Sequence, residues 1–280
     1  MKKRDEEVHM KKIAIPLLLA LLYLPTFVWL VNLWLTDPYY SHGFLIVIIS
    51  GVIAWRNLVK YNNGYEIEPE SYGIYLFAFG LFLYAIGYIK IFPFLTAISF
   101  LFTASGLILY LYGKLLMRAL LFPIAFLIFA IPLPVELLSQ VAYLMQSLSA
   151  SYAASIIALM GIPVERLGAE IHLQNASFIV GAPCSGMNSL ISLLALVTIF
   201  VYILKCPLYK KATLLLVSVP IAIFANILRI VSLLLIAENY GADTASGFFH
   251  TFFSPLLFFI AFIALILISI VMGCNVTTRK

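Results

Sequence analysis

The sequence predicts an all-α protein, a polytopic transmembrane helical bundle of about eight spans in a single integral-membrane domain, residues 1–280. Three observations predict it. Hydrophobic residues make up 64% of the chain and charged residues 10%, against roughly 25% charged in soluble domains. The apolar residues fall into runs of span length. Lys and Arg collect in alternate connections between those runs.

The runs lie near 13–35, 42–58, 72–88, 91–112, 115–133, 185–204, 212–236 and 253–273. The first follows Met1-Lys-Lys-Arg and Lys11-Lys12. It is too long for a signal-peptide core and no small-x-small site follows it, so it reads as an uncleaved anchor. The second opens on Ser41, His42 and Gly43. Only Ile89 and Lys90 separate the third run from the fourth.

An inside N-terminus puts the basic tail 1–12, Arg56, Lys60, Lys114, Arg118, Lys205, Lys210, Lys211, Arg279 and Lys280 in the cytoplasm. Of 17 Lys and Arg, only Lys90, Arg166 and Arg229 are left outside or in the outer leaflet. The net charge of +5 is therefore a topology signal. No basic stripe interleaved with aromatics marks a nucleic-acid partner. The expected location is the cytoplasmic membrane, multi-pass, with both termini inside.

Residues 134–183 are expected outside. The stretch 137–160 mixes apolar residues with Ser139, Gln140, Gln146, Ser147, Ser149 and Ser151. A crossing there would invert every later loop, so it reads as a helix lying along the outer interface or packed against the bundle. Pro132 and Pro134 end the preceding span. Residues 162–181 alternate around Gln174-Asn175-Ala176 and read as a short outer-face hairpin leading to Cys184.

Cys184 lies in Gly181-Ala-Pro-Cys-Ser-Gly-Met-Asn, opening the catalytic stretch 184–273 at the N-terminus of the next span. A helix N-terminus favours the thiolate through its dipole and free N–H groups. Cys206 stands at the other end of that span, about 30 Å away at helical rise. Cys274 ends the last span, also inside. Disulfides need Cα atoms within about 7 Å, so Cys184 is expected to have no partner in the chain. The bland alternative is a small buried residue. The Pro before it and the Ser-Gly after it favour a functional thiol.

Arg229 lies inside a span, one helical turn from Asn226. An intramembrane Arg is costly unless paired, hydrated or snorkelling. Snorkelling to the headgroups is the alternative to an inward, functional face. His250 opens the last span and has the ordinary pKa for acid–base work. His42 and His172 are also outside, but no pair has the spacing of metal ligands, so no metal and no cofactor are expected. No Asp or Glu lies in the core of a span, which argues against a proton- or cation-coupled transporter. There is no Walker loop, no GxSxG and no transporter-like repeat.

Pro183-Cys-Ser-Gly, Asn226-Ile-Leu-Arg229 and His250, in that order, resemble the exosortase/archaeosortase family of polytopic membrane cysteine transpeptidases. Tyr40-Ser-His-Gly43, Pro132-Leu-Pro134 and Gly161-Ile-Pro-Val-Glu-Arg-Leu-Gly168 add to the resemblance, which runs from about residue 36 to 260. Met187-Asn188 departs from a Leu-Arg found in many members.

The resemblance implies Cys184 as nucleophile, Arg229 as essential cation and His250 as third catalytic position. Asn226, Ser185, Gly186 and His42, within the matched motifs, become substrate-binding or supporting candidates. It also implies a reaction at the outer face. The chain would cleave exported proteins carrying a C-terminal motif, transmembrane helix and basic cluster through a thioester, and pass them to an acceptor, which can be lipid-linked. The partners are those proteins and the bilayer. Two rival classes stay open: a non-enzymatic transporter or assembly scaffold, and a membrane acyltransferase using His250.

Overall fold

The computed structural model describes residues 14–61, 69–174, 176–181, 185–241, 244, 247 and 250–274, without the side chains of Phe178, His250, Thr251 and Ser254. It is an all-α membrane protein with one small sheet. The chain divides into two compact units, Met1–Pro134 and Val135–Lys280. The division falls at Pro132 and Pro134, where the missing N–H groups and fixed φ of proline were expected to stop a helix.

The first unit holds α1 (Ala14–Leu22), α2 (Leu24–Thr36), α3 (Gly43–Tyr61), α4 (Gly73–Ile89) and α5 (Pro93–Phe126). A 3₁₀ turn, Leu127–Ala130, follows. α1 and α2 are one apolar run bent by 54° just before Pro25. α5 covers both the fourth and fifth expected spans. It is broken at Gly113, whose φ of 84° and ψ of −176° are not helical. The break expected near 113–114 is therefore present: α5 is two helices that meet at Gly113.

α4 and α5 pack backbone to backbone. Gly73, Gly80 and Gly87 repeat every seventh residue on one face of α4 and are all buried. A Cβ on Gly80 would lie 2.3 Å from Thr103 Oγ1, and one on Gly106 would lie 2.2 Å from the Phe77 nitrogen. Helices in lipid gain little from burying apolar area against each other, so small residues that permit close approach decide such pairs.

Hydrogen bonds complete the unit. The buried Tyr23 hydroxyl lies 2.8 Å from both Ser99 Oγ and Thr103 Oγ1. Pro123 has no N–H to offer the Ala119 carbonyl four residues earlier, and Asn57 Nδ2 donates to that carbonyl instead, at 2.8 Å. Ser50 Oγ donates to the Pro123 carbonyl at 2.7 Å.

The second unit holds α6 (Val135–Leu159), a sheet, α7 (Met187–Ile203), α8 (Leu208–Tyr240) and α9 (His250–Val271). The sheet is an antiparallel meander of β1 (Val164–Leu167), β2 (Glu170–Leu173) and β3 (Ser177–Ile179), in the order β1-β2-β3. The hairpin expected around Gln174–Ala176 is its second turn. A first turn at Gly168, with φ of 66°, adds the third strand.

The core of this unit joins Ala150, Ala153, Ala154 and Ile157 of α6 to Ile171, Val180 and the α8 residues Ile227, Ile230, Val231, Leu233 and Leu234. α6 therefore buries a small-residue face against α8. Expected along the outer interface or packed against the bundle, it is also long and apolar enough to cross a membrane, as are residues 43–60, 93–130 and 208–240 among the described residues. The bent α1–α2 pair is a fifth candidate.

Three shorter apolar helices, Gly73–Ile89, Met187–Ile203 and Pro255–Val271, fall below that length. At about 1.5 Å per residue, 17 residues reach about 26 Å, short of the roughly 30 Å hydrocarbon core. Among the described residues, four helices, or five with the bent pair, are thus long and apolar enough to cross a membrane, where the apolar runs predicted eight spans.

Candidate active site

Gly186 caps the N-terminus of α7 with φ of 80°, a left-handed conformation that suits glycine. The site also needs glycine for space, because a Cβ there would lie 2.6 Å from Asn226 Cγ. Beside it, buried Ser185 accepts a hydrogen bond on Oγ from the Met187 backbone N–H at 3.3 Å. This satisfies one of the first N–H groups of α7, which have no partner within the helix.

Asn226 on α8 is the hub. Only 4% exposed, it donates from Nδ2 to Ser149 Oγ on α6 at 3.0 Å and to the Ser185 backbone carbonyl at 3.3 Å. One carboxamide therefore joins three segments that are far apart in sequence. Gly186 N-caps α7, and its carbonyl accepts the Leu190 N–H at 2.9 Å.

Arg229 follows Asn226 by three residues on the same face of α8 and is 5% exposed. Burial at this level places the guanidinium inside the helix packing, which is not the geometry of an Arg snorkelling to headgroups. A cavity of about 20 Å³, one water molecule in size, lies beside it, lined by Ser189, Leu193, Asn226, Arg229, Leu257 and Phe258 among others. α7, α8 and α9 all contribute to its wall.

Of the expected site residues, the structure brings together Ser185, Gly186, Asn226 and Arg229. Cys184 lies outside the described residues, immediately before Ser185 in the chain. His250 is the first residue of α9, at the expected helix start.

His42 belongs to the first unit, in the turn between α2 and α3. Burial lowers its pKa from the ordinary histidine value, and the Phe129 backbone nearby opposes that shift without good hydrogen-bond geometry. Tyr40, in the same motif, accepts the Leu133 N–H on its hydroxyl at 2.9 Å. Tyr-Ser-His-Gly thereby ties its turn to the Pro-Leu-Pro segment.

His172, weighed as a metal ligand, is engaged across the sheet: Nδ1 is 3.0 Å from Ser177 Oγ and Nε2 is 3.5 Å from Glu170. Cys206 and Cys274 are bonded to each other with Cα atoms 5.2 Å apart. They join the α7–α8 connection to the end of α9.

The sequence model of the transmembrane exosortase family matches residues 34–267. The chain belongs to the transmembrane exosortase family. The match spans the helices of both units from α2 into α9 and includes every residue of the site just described. No curated protein and no solved structure matches the chain. Membership in the exosortases makes this a multi-pass membrane protein of a family whose general activity is cysteine transpeptidation.

Ser149 was not singled out from the sequence as a site residue. Its signal was present in the i, i+4 row Met145, Ser149, Ala153, Ile157, which forms the buried face of α6. Read as a mixed polar segment, that row was masked by the serines on the opposite face.

Proposed function

We propose that this exosortase is a membrane-embedded cysteine transpeptidase that cleaves the C-terminal sorting signals of exported proteins. The observation that carries the reading is the contact of buried Asn226 with the Ser185–Gly186 segment that follows Cys184 in the chain, with Arg229 buried three residues further along the same face of α8. A buried arginine on the helix that contacts the residue after a candidate nucleophile suits acyl chemistry.

Cys184 attacks the scissile peptide carbonyl as a thiolate, forming a C–S bond. Arg229 neutralises the oxyanion that develops on the carbonyl oxygen, or holds that carbonyl. His250 protonates the departing amine as the C–N bond breaks, leaving a thioester on Cys184. An incoming amine, lipid-linked acceptor or water, deprotonated by His250, attacks the thioester and releases the thiolate. Asn226, Ser185 and Gly186 support the segment that follows Cys184, and His42 is a further supporting candidate.

The substrates are exported proteins ending in a recognition motif, a transmembrane helix and a basic cluster. Both termini of the enzyme are cytoplasmic and the reaction is at the outer face, with eight crossings oriented by the Lys and Arg bias. The kinked halves of α5 count as two of those crossings.

Cys184→Ala in cells that express an exported protein with such a tail tests the reading. Accumulation of the uncleaved precursor is expected. Normal processing by Cys184→Ala overturns the thioester mechanism and leaves a scaffold or a His250-dependent acyltransferase.

A further inference from the structure

The first unit holds a cavity of about 380 Å³, walled by α2, α3, the start of α5 and the 3₁₀ turn. Thr26 apart, its lining is apolar or aromatic. The small residues Thr26, Ala97 and Ala130 are buried and leave the room, and the exposed Val31 and Val47 stand at its edge. The one indole in the wall, Trp34, donates its Nε1 hydrogen to the Ala130 carbonyl at 2.8 Å. A buried water needs about two to four polar partners, which such a wall does not offer. An apolar cavity of about 150 Å³ stays dry and takes up benzene. More than twice that volume has room for a hydrocarbon chain.

The lining lies at one end of the unit. On α2 it runs from Thr26 to Trp34, close to the helix end at Thr36. Val47 follows the start of α3 at Gly43, and Ala97 and Leu101 follow the start of α5 at Pro93. Leu127–Ile131 closes the same end, since Ile131 shares one core with Leu30 and Ala97. At about 1.5 Å per residue, no lining residue is more than about 15 Å from that end. This is half of the roughly 30 Å hydrocarbon core. The cavity is therefore one leaflet deep, and the leaflet is the outer one in the orientation proposed above.

We propose that this cavity binds one hydrocarbon tail of an outer-leaflet lipid. An exosortase stands in lipid, so hydrocarbon is the medium beside the exposed Val31 and Val47. A tail entering from the bilayer sheds no water, so fit to the walls decides binding. Inside, it makes the dispersion contacts that walls facing a void forfeit. It thereby fills the space between α2, bent away from α1 by 54°, and the α3 and α5 helices. The site owes nothing to Cys184 or to the acceptor of the reaction.

Quenching of Trp34 fluorescence tests the proposal. The chain has three tryptophans, so Trp29→Phe with Trp55→Phe leaves Trp34 as the single emitter. The full-length protein is reconstituted in phosphatidylcholine vesicles whose tails are either brominated at mid-chain or unbrominated. Strong quenching by the brominated tails is expected. Ala97→Leu with Ala130→Leu, added to that background, fills the cavity and is expected to cut the quenching several-fold. Val31→Phe narrows the exposed edge without touching the buried wall. It is expected to act in the same direction, and it carries the test if the filled variant does not fold. Equally strong quenching in the filled and narrowed variants overturns the proposal, because lipid surrounding the protein then accounts for it. Weak quenching before any filling also overturns it, and assigns the cavity to a peptide segment instead of a lipid tail.

Discussion

Asn226 on α8 donates to the backbone carbonyl of Ser185, 3.3 Å away, and so couples the helix that carries Arg229 to the turn that opens α7. The same nitrogen reaches Ser149 Oγ at 3.0 Å, so both hydrogens of the amide are used in a buried setting. Asn226→Ala removes both bonds and leaves the Ser149 hydroxyl and the Ser185 carbonyl buried. A destabilisation of about 1–3 kcal/mol is expected, with loss of substrate processing. Thermal unfolding of purified protein and precursor accumulation in cells read the two effects. Wild-type behaviour in both would remove Asn226 from the site.

Gly186→Ala meets two obstacles at once. An L-residue at φ of 80° costs roughly 1–2 kcal/mol, and the new Cβ would lie 2.6 Å from Asn226 Cγ. The variant is expected to lose more stability than Asn226→Ala. Combining it with Asn226→Ala should relieve the clash and leave only the backbone cost. A double variant whose loss equals the sum of the two singles would contradict the close contact.

Arg229→Lys keeps the charge and removes the planar two-donor fork. If the fork holds a carbonyl oxyanion, the variant inserts normally and loses about 10²–10³ in rate. That loss appears on a gel as unprocessed precursor at matched expression. Near wild-type cleavage in Arg229→Lys, with Cys184→Ala inactive, would reduce Arg229 to a charge or a structural residue.

Cys206 and Cys274 form the bridge among the described residues, joining segments 68 positions apart. Under non-reducing conditions, denatured protein is expected to alkylate at Cys184 alone, and all three cysteines after reduction. Labelling of Cys206 and Cys274 without reductant would show that the pair exists as thiols.

Residues 137–160 are expected to keep both ends on one side, because a crossing would move Lys205, Lys210 and Lys211 outside. Reporter fusions at Glu136 and Gly161 should both report the outer face. Opposite faces would make α6 a crossing, which its length and apolarity allow, and would invert the later loops.

The membrane class, the apolar runs and the residues that were brought together at α8 were legible in the chain. Hydropathy and the spacing of Asn226 and Arg229 are local properties, so a linear reading finds them. The proline break at 132–134 and the helix start at His250 are equally local, since each depends on the backbone chemistry of a few residues. A linear reading could not find Ser149 as a partner of Asn226, 77 positions away, because nothing in either neighbourhood encodes the pairing. Packing of α6 against the bundle was one of the two readings the sequence left open, but which face is buried was not legible, because its serines on both faces average to a polar helix until α8 selects one face. The Asn57 side chain answering the carbonyl left open by Pro123 likewise depends on which helix lies alongside. Sequence by itself determined which segments are apolar and which residues can do chemistry. Tertiary packing decided which polar groups face one another, because a buried hydrogen bond forms only where two helices bring donor and acceptor within about 3 Å.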